Sequence, residues 1–266
     1  MERIESRHHP LVARCRQLAR GRSADDQGWL LDGWHLVDEG LAAGLQFDFI
    51  ALSARADHEA EEAALNERAR ARGVRLVDVT PQVLEAMSPV RQPSGVVAVA
   101  RPRAWRVEDL VGPGPAFVLV ACDVQDPGNL GAIVRAADAA GATGVIAAGA
   151  SADPGSWKAL RGAMGSAFRL PHVRASNVTA TIADLAARDI VVLATVAREA
   201  PAIHTTDLRR PVACLLGSEG SGLPQHVVAA ATGRMAIPMR PGVESLNVAT
   251  AAAVIAFEAW RQRHAG

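Results

Sequence analysis

The run Phe117-Val118-Leu119-Val120-Ala121-Cys122, followed by Asp123-Val124-Gln125-Asp126-Pro127-Gly128-Asn129-Leu130-Gly131, decides how the second half of the chain is built. The uninterrupted apolar run reads as a strand buried on both faces. Pro127-Gly128 turns the chain, and the residues from Asn129 to Ala140 read as a helix. A second apolar run, Gly144–Ala148, comes next. Near-continuous apolar strands separated by helices specify a parallel sheet covered on both faces. Further along, Ile190–Val196 and Val212–Leu216 read as strands, Met235–Met239 as a short strand, and Leu246–Arg263 as a long Ala-rich helix.

Upstream the alternation continues with a more polar exterior. Leu11–Arg20, Trp34–Ala43, His58–Arg72 and Pro81–Met87 read as helices. Trp29–Leu31, Phe47–Leu52, Val74–Val77 and Val96–Ala100 read as strands. Between the halves, Arg101–Pro115 holds Pro102, Gly112, Pro113, Gly114 and Pro115, a composition that resists regular structure. The sequence thus predicts an α/β domain over residues 1–100, a linker over 101–115 and a second domain over 116–266.

Composition excludes several classes. Formal net charge is +0, which argues against whole-molecule electrostatic capture of nucleic acid. The distribution is uneven, since Arg3, Arg7, Arg14, Arg16, Arg20 and Arg22 face only Glu2 and Glu5 at the start. That stretch reads either as a solvated helix face or as a basic arm touching phosphates. Arg101, Arg103 and Arg106 read as linker charge or, second, as an RNA-facing edge. Cys15, Cys122 and Cys214 lack CxxC spacing and form neither a disulfide framework nor a zinc site, so no metal is expected. No apolar run reaches the ~18 residues of a membrane span and no apolar leader opens the chain, so a soluble, reduced, cytoplasmic protein without membrane partners is expected.

Ligands of parallel α/β sheets bind outside the carboxyl ends of the strands. Three loops fall at such ends: Asp123–Gly131, leading into a helix that carries Arg135; Gly217-Ser218-Glu219-Gly220-Ser221-Gly222-Leu223-Pro224; and Ile237-Pro238-Met239-Arg240-Pro241-Gly242-Val243-Glu244-Ser245-Leu246-Asn247-Val248. Each has an ordinary structural reading. Asn129 and Ser245 could cap helices, Arg135 could be surface charge, and Gly217–Gly222 could be a flexible turn. Three such loops at successive strand ends of one domain argue for a site. Gly217, Gly220 and Gly222 stand in the wrong order for GxGxxG, and Leu223-Pro224 replace the Lys and Ser/Thr of a phosphate-binding loop. A nicotinamide-dependent dehydrogenase is therefore disfavoured.

Asn129-Leu130-Gly131-Ala132-Ile133-Val134-Arg135 resembles the first motif of the SpoU (TrmH-type) RNA 2′-O-ribose methyltransferases of the SPOUT superfamily. Gly217–Leu223 resembles the second motif, and Ile237–Met239 through Ser245-Leu246-Asn247-Val248-Ala249-Thr250-Ala251-Ala252 the third. Residues 1–100 are similar, more weakly, to the ribosomal-protein-like substrate-binding domain of many members.

The resemblance implies a deep trefoil knot in the parallel-sheet domain, an exception to the rule against threading. It implies S-adenosylmethionine as cofactor, held by Thr195, Gly217, Ile237 and Leu246, with the strand end at Ala147–Gly149 as further wall. Ile237 and Leu246 would otherwise read as core. It places Asn129, Arg135, Glu219, Ser245 and Asn247 at the reacting ribose and phosphate. A guanidinium keeps its proton to above about pH 12, so Arg135 suits a phosphate clamp, leaving Glu219 or a substrate phosphate to accept the proton. The implied partners are structured RNA, 23S rRNA ahead of tRNA, and a second copy of the chain. Apolar Val254, Ile255, Phe257 and Trp260 on the last helix are available to a homodimer interface. The competing reading is a non-catalytic RNA-binding protein on the same scaffold.

Overall fold

The computed structural model describes residues 2–21, 28–53 and 59–264. Arg22 and His58 lie outside the described residues. In chain order the first elements are β1 (Glu2–Ile4), α1 (Pro10–Arg20), β2 (Trp29–Asp32), α2 (Trp34–Ala42), β3 (Phe47–Leu52), α3 (Glu59–Ala71), β4 (Leu76–Val79), α4 (Pro81–Met87) and β5 (Val96–Ala100). There follow β6 (Phe117–Cys122), α5 (Pro127–Ala139), β7 (Gly144–Ala148), α6 (Trp157–Ala163), β8 (His172–Ala175), α7 (Val178–Ala187), β9 (Val191–Val196), β10 (Val212–Leu216), α8 (Gln225–Ala230), β11 (Gly233–Ala236) and α9 (Val248–His264). These form two compact units, Met1–Ala104 with Gly155–Arg169, and Trp105–Pro154 with Leu170–Gly266.

The first unit holds a mixed sheet of order β1-β4-β3-β5-β2, in which β1, β4 and β3 run parallel and β5 runs antiparallel to β3 and β2. The arginine-rich start is folded rather than a free arm. Pro10 occupies the first turn of α1, and the helix buries Val12, Cys15 and Leu18 on one face. Arg14 pairs with Asp48 at 2.8 Å, and Arg16 Nε donates to the Ala86 carbonyl at 3.1 Å. Arg101 Nε also meets Asp48, at 3.1 Å, and Arg103 donates to the Ala43 carbonyl. β4 begins two residues later than Val74, because Gly73 (φ +66°) and Val74 still close the end of α3 by donating to Arg70 and Ala69.

The second unit is a six-stranded, all-parallel sheet of order β11-β9-β10-β6-β7-β8. Val118, Val120 and Cys122 join Ile182 and Leu185 of α7 and Val227 of α8 in one cluster. The alternate residues Phe117, Leu119 and Ala121 are fully buried and point to the opposite face. α5 and α9 pack against each other and against strands of this sheet.

Three boundaries differ from the sequence reading for local reasons. α5 starts at Pro127, since Asp126 caps it by accepting the Asn129 N–H at 2.8 Å. β11 ends at Ala236 rather than Met239, where Pro238 has no N–H to continue the ladder. α9 starts at Val248, and its cap is Asn247, which accepts the N–H groups of Ala249 (3.0 Å) and Thr250 (3.2 Å), not Ser245. β1, β8, α6, α7 and α8 add to the elements read from sequence.

Near its C-terminus α9 is fastened by Gln262, which accepts the Leu208 N–H and donates to the Thr206 carbonyl, and more extensively by Arg263. The half-buried Arg263 donates to the carbonyls of Leu208 (2.8 Å), Pro115 (2.6 Å), Ala116 (3.0 Å) and Arg210 (2.9 Å), over the Phe117 ring at 5.2 Å. Burial pulls this guanidinium below the usual arginine range. Arg263→Met keeps the length but strands those carbonyls; it should lower stability by roughly 2–3 kcal/mol in urea unfolding.

Candidate active site

β10 runs out at Leu216, and Gly217 follows at a point of close backbone approach. A Cβ on Gly217 would lie 2.3 Å from the Gly222 carbonyl carbon and 2.4 Å from the Leu223 nitrogen. The loop therefore doubles back on itself, closed by the Gly222 N–H on the Ser218 carbonyl at 3.0 Å, with Gly222 at φ +65°. Opposite this loop, the chain from Ile237 to Leu246 passes on its way from β11 to α9. The two enclose a cleft of about 170 Å³ at the carboxyl edge of the sheet, lined by Thr195, Leu216, Gly217, Glu219, Ile237, Met239, Ser245 and Leu246. Glycine, alanine and larger apolar residues predominate in the lining, and Leu246 is 37% exposed. The Thr195 hydroxyl is buried there without a hydrogen-bond partner among the described residues, an uncommon state for a native polar group.

A chain of amides reaches the rim. Because α9 offers two N–H donors, Asn247 must turn its Oδ1 to the helix, so its Nδ2 points away and donates to Asn129 Oδ1 at 3.2 Å. Asn129 then has only its own Nδ2 left, which donates to Glu219 Oε1. The cap of the last helix thus dictates the orientation of both amides and of the carboxylate.

Thr195, Gly217, Ile237, Leu246, Glu219 and Ser245 share one cleft, and Asn129 and Asn247 join it through Glu219. Arg135 stands apart: it is exposed on α5, outside the cleft lining, and has no hydrogen-bond or ion-pair partner among the described residues. Ala147–Gly149 is likewise absent from that lining; Gly149 instead lies against the Asp123 carboxylate. Sequence reasoning missed Met239, Ala197 and Ala251 in the wall, since small and apolar residues carry no chemical signal. It also missed Asp126 as a helix cap, although Asp before Pro at a helix start announces one. Burial pushes the thiols of Cys122 and Cys214 up to about 12, so neither is a nucleophile at neutral pH.

An all-parallel sheet with a cleft at the carboxyl ends of its strands is the arrangement in which α/β proteins bind their ligands. Residues 116–257 match the SpoU rRNA Methylase family, and residues 10–98 match the MRM3-like substrate binding domain. The chain belongs to the SpoU rRNA Methylase family. An uncharacterized tRNA/rRNA methyltransferase of Synechocystis sp. is 35% identical, over 98% of this chain and 94% of its own length. The 23S rRNA (guanosine-2′-O-)-methyltransferase RlmB of Bordetella pertussis is 36% identical, over 74% of this chain and 82% of its own. The SpoU methyltransferase AviRb of Streptomyces viridochromogenes, solved in complex with AdoMet, matches with a TM-score of 0.85 at 27% identity, over 97% of this chain and 100% of that one.

Asn247→Asp separates the two jobs of that side chain. An aspartate still caps α9, so the melting temperature should stay within a few degrees of the parent, about the shift that ~1 kcal/mol produces. It cannot donate to Asn129, so methyl transfer should fall roughly tenfold or more as Glu219 loses its orientation. Gly217→Ala should instead abolish cofactor binding in calorimetry, because its methyl group falls on the Gly222–Leu223 backbone.

Proposed function

We propose that the chain transfers a methyl group from S-adenosylmethionine to a ribose 2′-hydroxyl of 23S rRNA. The observation that carries this reading is the amide chain from Asn247 through Asn129 to Glu219 at the rim of the cleft.

The cleft fits S-adenosylmethionine. Gly217 keeps its floor free of side chain, Ile237 and Leu246 offer apolar surface, and Thr195 holds an unused hydroxyl in the wall. These four are the cofactor-binding residues. When bound, the cofactor supplies a sulfonium methyl that is already an activated electrophile. The task left to the protein is to orient the 2′-hydroxyl and hold its proton. Glu219 commits one oxygen to Asn129, which leaves the other for that proton. Asn129 and Asn247 keep the carboxylate turned, and Ser245 lies on the same wall. Arg135 clamps the adjoining phosphate and stabilises negative charge on the 2′-oxygen.

The domain of residues 1–100 grips structured RNA, in keeping with its MRM3-like match over residues 10–98; residues 101–115 link it to the catalytic domain of 116–266. The crossing from β11, at the sheet edge, to α9 is read as the deep trefoil knot. The working form is a homodimer. Val254, Phe257 and Trp260 of α9 are 39%, 51% and 44% exposed, an apolar surface for a second copy, whereas Ile255 is fully buried and belongs to the core. Among the described residues no helix is long and apolar enough to cross a membrane, and the buried cysteines Cys15, Cys122 and Cys214 suit the cytoplasm.

The test is label transfer from S-adenosylmethionine to unmodified 23S rRNA and tRNA, with the product mapped as alkali-stable 2′-O-methyl ribose. Methylation of 23S rRNA is expected; label on a base, or on tRNA alone, overturns the reading. Arg135→Ala should lower kcat by about 100-fold or more while the cofactor Kd stays within about twofold.

A further inference from the structure

Asn129 sits at the start of α5, and the turn that delivers it is pinned from a neighbouring loop. Asp123, the first residue after β6, has φ +58°, a left-handed conformation uncommon for residues with a side chain. Its Oδ1 accepts the Ala150 N–H at 2.7 Å. That place exists only because residue 149 is glycine: a Cβ there would lie 2.3 Å from Asp123 Oδ1. One residue on, buried Val124 donates its N–H to Ser151 Oγ at 2.9 Å, and its carbonyl accepts from Ala152 at 2.9 Å. The buried Ser151 hydroxyl lies 2.9 Å from the Ala121 carbonyl and 2.8 Å from that of Ala148. The turns after β6 and β7 are therefore fastened together, and Asp126 completes the hold by accepting the Asn129 N–H.

Asp123 does not line the cleft. Glycine would adopt its backbone without strain, so the side chain there is accounted for by what it binds. Resting on the methyl-transfer reading above, we infer that Asp123 is a positioning residue for the reaction. Its carboxylate, locked onto the Ala150 N–H, sets the path from Val124 to Asn129 and hence the amide that orients Glu219.

Asp123→Gly and Asp123→Asn test this in the full-length protein. Glycine accepts the backbone angle but loses the acceptor; asparagine tolerates the same angle and keeps an oxygen for Ala150. D123G should lower kcat between about 10- and 100-fold while the RNA KM and the S-adenosylmethionine Kd move less than about threefold, and D123N should recover most of the loss. Amide exchange of the peptide spanning Val124–Asn129 should speed up about tenfold or more in D123G, not in D123N, with α9 unchanged. Parental kcat and exchange in D123G overturn the inference. So does a parallel fall of activity, cofactor affinity and melting temperature in both variants, which would assign Asp123 to the fold alone. A parent chain that binds cofactor but does not methylate 23S rRNA refutes the proposed function instead, and the exchange comparison still decides whether Asp123 sets the turn.

Discussion

The site depends on a constraint that begins at the N-terminus of the last helix. The first amides of α9 have no partner within the helix, and Asn247 Oδ1 accepts two of them. A primary amide has distinct ends, so committing its oxygen commits its nitrogen in the other direction. The polarity then passes through Asn129 to Glu219, and each group has one remaining way to be satisfied. A requirement of helix capping, met locally, thereby sets the presentation of a carboxylate carried by a loop far away in sequence. The same economy appears at α5, where Asp126 caps the helix through the backbone of Asn129 itself.

The sheet makes this wiring possible by bringing several strand ends to one edge. β9 and β10 are parallel neighbours, so Thr195 and Gly217 emerge side by side. The winding reverses between β8 and β9, and such a reversal opens a crevice in parallel sheets. Gly217 keeps the crevice narrow because the returning chain at Gly222 and Leu223 occupies the volume a side chain would need. Apolar residues outnumber charged ones in the lining, which accounts for Ile237 and Leu246 looking like ordinary core residues in the sequence.

How far the sequence disclosed this follows from the kind of signal each element carries. Phe117–Cys122 and Val212–Leu216 are apolar throughout because they are buried on both faces, and both were legible residue for residue. Boundaries were less so where a side chain settled the matter. Asn129 resembles a cap and is not one, since Asp126 holds that position, and Asn247 displaced Ser245 for the same reason. β8 escaped notice because the edge strand His172–Ala175 interrupts its apolar residues with Arg174. The residues of the second and third motifs that line the cleft were named from the resemblance, whereas the clasp between Asp123 and Ala150 depends on a backbone angle that no spacing announces.

Two arginines of the second unit show how one residue type is put to opposite uses. Arg263 is surrounded by carbonyls that satisfy its donors, so its charge is spent on holding α9 to the starts of β6 and β10. Arg135, on the neighbouring helix, has none of this; its side chain is exposed and finds no anion among the described residues. A guanidinium used for architecture is one whose hydrogen bonds close within the chain. One left open retains its full donor set for an outside anion such as a phosphate, with little to give up on binding. The uneven treatment of these two side chains, in a protein of zero formal net charge, leaves Arg135 rather than Arg263 with donors open to an outside anion.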